Sequence, residues 1–113
     1  MKKVSTPGGY AAVWLFALFD MPNNTKNERK EYTKFRKILI SSGFSMLQYS
    51  VYVIYFQSED ASISTQKLIE ARLPSCGQVR LLLVTDKQFG KQKVFFGKNE
   101  ALPEIPLPQI LLF

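Results

Sequence analysis

The chain has no histidine and a single cysteine. Without imidazole it has no general base that titrates near neutral pH and no histidine metal ligand. Cys76 alone excludes an internal disulfide and any zinc site built from several cysteines, and with no histidine to activate it a thiol nucleophile has little support. Carboxylates are also scarce. Nine acidic residues face fifteen basic ones, for a net charge of +6, and Asp20 is the only acid before Glu28. Such a surplus favours a polyanionic partner, nucleic acid ahead of an acidic membrane surface. No apolar run is long enough to span a bilayer. The run that follows Lys2 and Lys3 lacks a small-residue cleavage site and ends in Asp20-Met21-Pro22, so a cytoplasmic protein is the simplest expectation.

What is present suits one globular domain: 113 residues, 46% hydrophobic, with nine phenylalanines. Residues 1–10, with Pro7-Gly8-Gly9, read as a flexible leader; 11–97 form the domain, and 98–113 a C-terminal arm. Seven consecutive apolar residues, Val13 to Phe19, run into Asp20 and are stopped by Pro22. Their length and branched, aromatic character predict a strand whose two faces are both apolar and both covered, with Asp20 at its rim. Thr25 and Glu28 then fit a capping box, opening a helix that runs to about Ser42 and stops at Gly43. On that helix Tyr32, Phe35 and Leu39 form the apolar stripe with Ile38 beside it, and Lys26, Lys30, Lys34 and Lys37 share the far side. Arg29 and Arg36, seven residues apart, flank the stripe, where a neighbour should order them. The lysines read equally as a solvated face or a polyanion-binding one.

Phe44 to Gln48 and Val51 to Gln57 read as a hairpin. Asp60 to Ser64 offers caps for a second helix carrying Leu68, Ile69 and Leu73, ended by Pro74. Val79 to Thr85 is a further strand, Asp86 to Gly90 a turn or single helical turn, and Lys93 to Phe96 a brief last strand. The expected class is α+β, ferredoxin-like βαββαβ with an extra short C-terminal strand. Two helices cover one face of a four-stranded sheet, so the other face should find a second copy, giving a homodimer that could bring two Asp20 residues together. RNA-recognition modules share this topology, but their Lys/Arg-Gly-aromatic signature is missing from the third strand.

Four motifs occur in order: Phe19-Asp20-Met21-Pro22; the helix from Glu28-Arg29-Lys30 through Phe35-Arg36-Lys37; Gly43-Phe44 followed by Gln48-Tyr49-Ser50-Val51-Tyr52; and Leu82-Leu83-Val84-Thr85-Asp86-Lys87-Gln88-Phe89. Together, over roughly Val13 to Phe96, they resemble the CRISPR-associated protein two family, closest to the branch of type II systems. The resemblance implies a homodimer that bridges dimers of the CRISPR integrase subunit in spacer acquisition and helps to hold double-stranded DNA. It further implies a magnesium-dependent endonuclease acting on RNA or duplex DNA, in which Asp20 of each protomer is both the catalytic and the metal-binding residue and Mg²⁺ is shared across the dimer. Arg29 and Arg36 match basic positions of the family's first helix, whereas Tyr49 stands where some relatives carry arginine. The nucleic-acid-binding residues expected are Lys26, Arg29, Lys30, Lys34, Arg36 and Lys37. A stand-alone endoribonuclease, or a toxin-like ribonuclease on the same fold, is the alternative. Pro103, Pro106 and Pro108 make the arm an extended segment, expected to add a strand to a free sheet edge of the dimer partner or the integrase subunit.

Overall fold

The computed structural model describes residues 11–97. The expected leader and C-terminal arm lie outside the described residues. Strand β1 (Val13–Asp20) is followed by helix α1 (Lys26–Ser41), strands β2 (Ser45–Gln48) and β3 (Val51–Phe56), helix α2 (Glu59–Glu70), strand β4 (Gln78–Thr85) and a single-turn helix α3 (Asp86–Phe89). The four strands form one sheet in the order β2-β3-β1-β4, antiparallel throughout, which is the ferredoxin-like arrangement. β1 is central. It pairs with β3 from Val13↔Phe56 to Leu18↔Val51 and with β4 from Val13↔Thr85 to Asp20↔Gln78.

The local chemistry that opens and closes α1 is in place. Thr25 Oγ1 accepts from the Glu28 N–H at 3.1 Å, and Glu28 Oε1 accepts from the Thr25 and Asn24 N–H groups at 3.0 and 2.9 Å. At the other end the Phe44 N–H reaches the Leu39 carbonyl and the Gly43 N–H the Ile40 carbonyl, a Schellman closure that requires the positive φ of Gly43, +102°. α2 opens one turn earlier than expected. Ser58 is its N-cap, accepting from the Ala61 N–H at 3.1 Å, so Asp60 to Ser64 lie inside the helix. It also closes before Pro74, at Ala71. The extra strand expected at Lys93–Phe96 is not formed among the described residues, where 92–97 have no regular secondary structure. A strand needs an edge to pair with, and this segment, leaving α3 and the turn after it, pairs with neither edge strand.

The main core lies between the sheet and the two long helices. Leu15, Ala17 and Phe19 from β1 meet Phe35 and Leu39 of α1, Tyr52 of β3 and Ile69 of α2, all buried. Complete burial of a side chain such as Leu39 contributes on the order of 1.5–3 kcal/mol relative to exposure. A second, smaller cluster sits on the opposite face, where α3 folds back and sets Phe89 on Trp14, Phe16 and Val53. The rings of Trp14 and Phe89 stack with centroids 4.3 Å apart, and the Trp14 indole N–H donates to Asp86 Oδ1 at 2.8 Å. The expectation that both faces of β1 are covered therefore holds at the Trp14 end. At the other end Leu18 and Val51 are half-buried while Arg80, opposite Leu18, and Asp20 are exposed; Leu82, opposite Phe16 at mid-strand, is 51% exposed.

Gly77, at φ +88°, enters β4 against the end of β1, and a Cβ there would lie 2.6 Å from the Asp20 carbonyl oxygen and 2.9 Å from Met21 Cγ. Gly77→Ala should therefore cost about 2 kcal/mol or more, from left-handed strain plus a clash with backbone that cannot swing aside. Gly90→Ala, with ordinary φ and nothing within 3.5 Å of the new methyl except at that limit, should be neutral or stabilising by up to about 1 kcal/mol. Urea denaturation of both variants checks the contrast.

Candidate nucleic-acid interface and carboxylate site

Asp20 is the last residue of β1 and, by strand alternation, shares a face with Trp14, Phe16 and Leu18 rather than with the helix-packed Leu15, Ala17 and Phe19. The segments on either side of it are fastened by α1. Arg29 Nη1 donates to the carbonyl oxygens of Asn23 and Asn24, each at 3.2 Å, and so ties the loop after Asp20 to the first turn of the helix. Glu31 Oε1 accepts from both the N–H and the hydroxyl of Ser75 at 3.2 Å, fixing the loop whose Gly77 lies against Asp20. The carboxylate is thus presented from a rigid strand end between two anchored loops.

Among the described residues no group of three or more His, Cys, Asp or Glu side chains converges to hold a metal. Magnesium takes one or two carboxylates and fills the rest of its shell with water and phosphate oxygens, so the exposed carboxylate of Asp20 would suit that ion only weakly alone and better as one of a pair. It does not fit a structural zinc, which needs four protein ligands.

The basic residues divide. Lys26, Arg29, Lys30, Lys34 and Lys37 line one shallow groove with Thr33 along the outer side of α1, opposite the buried Phe35 and Leu39. All five are exposed. At 1.5 Å per residue the groove follows about 16 Å of helix axis. Arg36 is not part of it. It turns toward the sheet and donates from Nε to the Tyr52 hydroxyl at 2.8 Å. Both arginines are thus ordered by neighbours, as their place beside the apolar stripe suggests, and both by neutral acceptors. Their positive charge is left for another partner.

The sequence places Tyr49 and Ser50 between the two hairpin strands and marks Tyr49 as standing where some relatives carry arginine, but neither residue is among the expected site residues. Tyr49 and Ser50 form it, and Ser50 takes a positive φ of 62° where glycine is the usual occupant. The Ser50 carbonyl accepts from the Phe19 N–H at 3.1 Å, which binds the turn to β1 beside Asp20. Tyr49 is 70% exposed and stacks on Tyr32, centroids 5.8 Å apart and planes 19° from parallel. Side-chain hydrogen bonding with Tyr32, and then charge interaction with the same phenol, raises the Tyr49 phenol above its ordinary value. An aromatic residue in a two-residue turn that lacks glycine was the available signal.

No helix among the described residues is long and apolar enough to cross a membrane. The family model for CRISPR associated protein Cas2 matches residues 13–92, which run from the start of β1 past α3. Proteins named CRISPR-associated endoribonuclease Cas2 are similar over most of the chain. That of Flavobacterium psychrophilum is 39% identical over 105 residues, 92% of this chain and 90% of its own. That of Parvibaculum lavamentivorans is 41% identical over 102 residues, 89% of this chain and 100% of its own. That of Ligilactobacillus salivarius is 48% identical over 85 residues, 75% of this chain and 84% of its own.

Proposed function

The chain belongs to the CRISPR associated protein Cas2 family, and from that premise we propose that it acts in spacer acquisition as a homodimer that holds duplex DNA and bridges dimers of the integrase subunit. The observation that carries the proposal is the cationic groove of α1. Lys26, Arg29, Lys30, Lys34 and Lys37 are exposed along one side of a single helix, spanning about 16 Å against a phosphate for roughly every 3.4 Å of duplex axis per strand. A row of this kind reads backbone, not sequence, which suits a subunit that must accept any spacer. The less covered half of the sheet, with Leu18, Val51 and Leu82 on one face and Arg80 beside them, offers surface for a second copy.

The relatives' name, endoribonuclease, and the exposed Asp20 together favour a second reading, phosphodiester cleavage of RNA or DNA. Two Asp20 carboxylates facing one another across a dimer repel, and a cation relieves that repulsion. Mg²⁺ bound there supplies neutralisation of phosphate charge and a more acidic water. Asp20 holds its carboxylate outward from the strand end, while Arg29 and Glu31 keep the flanking loops from closing over it.

Replacement of the four lysines by glutamine tests the main reading. Each phosphate neutralised contributes about −0.9 to the slope of log K against log salt. The variant should therefore bind duplex at least about tenfold more weakly at physiological salt, with a slope flatter by about 3 to 4, and keep its fold and dimer in sedimentation. Unchanged duplex binding would reduce the groove to a solvated face.

A further inference from the structure

A ladder of aromatic rings runs outward from the core beside Asp20. Phe19 is buried, Tyr32 packs on it at 5.7 Å and is half-buried, and Tyr49 stacks on Tyr32 with most of its surface in solvent. Core packing accounts for the first two rungs. It does not account for the third. Tyr49 is held out by a turn whose next residue, Ser50, sits in left-handed backbone at φ 62°, and local strain of this kind collects at functional positions. Arg29 and Arg36 flank Tyr32 on the same side of α1, three residues before it and four after. Arg36 spends one of its five N–H donors on Tyr52, and Arg29 gives one amino group to two carbonyls. Both keep donors and a positive charge.

An exposed ring, braced from behind by Tyr32 on the side of α1 that carries Arg29 and Arg36, matches the chemistry of an unpaired nucleotide: a π-face for the base and charged donors for its phosphates. We propose that Tyr49, supported by Tyr32 and with Arg29 and Arg36 on the same side of α1 as Tyr32, forms a stacking site for an unpaired nucleobase, as at a single-stranded end projecting from a bound duplex. The site shares Arg29 with the lysine groove but uses neither the lysines nor Asp20, and it rests on the reading that this protein binds nucleic acid.

The test uses the full-length protein and short single-stranded DNA and RNA oligonucleotides carrying a fluorescent adenine analogue that dims on stacking, with a blunt duplex as comparison. The wild-type protein should quench the analogue in at least one of the two strands. Tyr49→Phe, which keeps the ring, should retain that quenching. Tyr49→Leu, which keeps bulk without a π-face, should lose it and bind the single strand about 5- to 10-fold more weakly, the lower end of what one stacked base contributes. Blunt-duplex affinity should be the same in all three. Absence of quenching by the wild-type protein overturns the site whatever the variants do, as does Tyr49→Leu binding like wild type or weakening duplex and single strand alike. Failure of the wild-type protein to bind the blunt duplex would instead remove the proposed duplex-holding role, a distinct result.

Discussion

On the cleavage reading proposed above, Asp20→Asn should lower metal-dependent nuclease activity by about 10²-fold or more, because the amide keeps the shape and loses the charge that would retain the cation. Several kcal/mol of transition-state charge stabilisation ride on such an ion, and each 1.36 kcal/mol is a factor of ten in rate. The substitution should be nearly silent for the fold. Asp20 takes part in the sheet through its register with Gln78, which asparagine preserves, and its side chain is exposed, where most replacements change stability by less than about 0.5 kcal/mol. Dimerisation, duplex binding and capture of spacers should persist. Cleavage of labelled RNA and duplex DNA, measured beside gel-shift affinity, separates the two functions. Unchanged cleavage would take Asp20 out of the chemistry, and loss of cleavage and assembly together in a folded variant would defeat the scaffold reading.

The largest stability effect is expected at Phe89. It is 5% exposed and is the side chain by which α3 clamps the second face of the sheet, stacked on Trp14 and tilted against Phe16. Phe89→Ala removes those contacts at one stroke and should cost about 3–5 kcal/mol. Trp14 is the only tryptophan in the chain and is buried beneath Phe89, so its fluorescence should shift to the red in the variant even where the fold survives. Phe95→Ala, at a position 83% exposed, should change stability by less than about 0.5 kcal/mol. A Phe89 variant as stable as wild type would mean that α3 is an ornament on the sheet.

Much of this architecture was legible because its signals are short-range. The Thr25–Glu28 capping box, the Gly43 stop and the alternation of β1 each depend on residues a few positions apart. The two arginines could be placed beside the apolar stripe from helical periodicity alone, though Tyr52 as the acceptor for Arg36 lies sixteen residues away and depends on the fold. Three things were not legible. Ser58 caps α2 because its φ of −156° turns its hydroxyl onto the Ala61 N–H, and the sequence offers several equally good hydroxyls and carboxylates just after it. Phe89 reads as one more apolar residue until β1 and β4 bring Trp14 beneath it. Tyr49 falls between the hairpin strands from their bounds alone, but its stacking on Tyr32 of α1 depends on the fold.

Among the described residues the two borders of the sheet are unequal. β2 offers four residues whose register is broken between Met46 and Gln48, while β4 offers eight in continuous register with β1 and only Arg80 for charge between Gln78 and Thr85. Bulges and short runs discourage pairing from outside, whereas a long regular edge invites it. The sheet thus has a polarity, one blunted margin and one receptive margin, and growth by a further strand is directed to a single side. Among the described residues the backbone alone therefore leaves β4 the more receptive margin, and a preparation of the chain alone should be most prone to self-association along it.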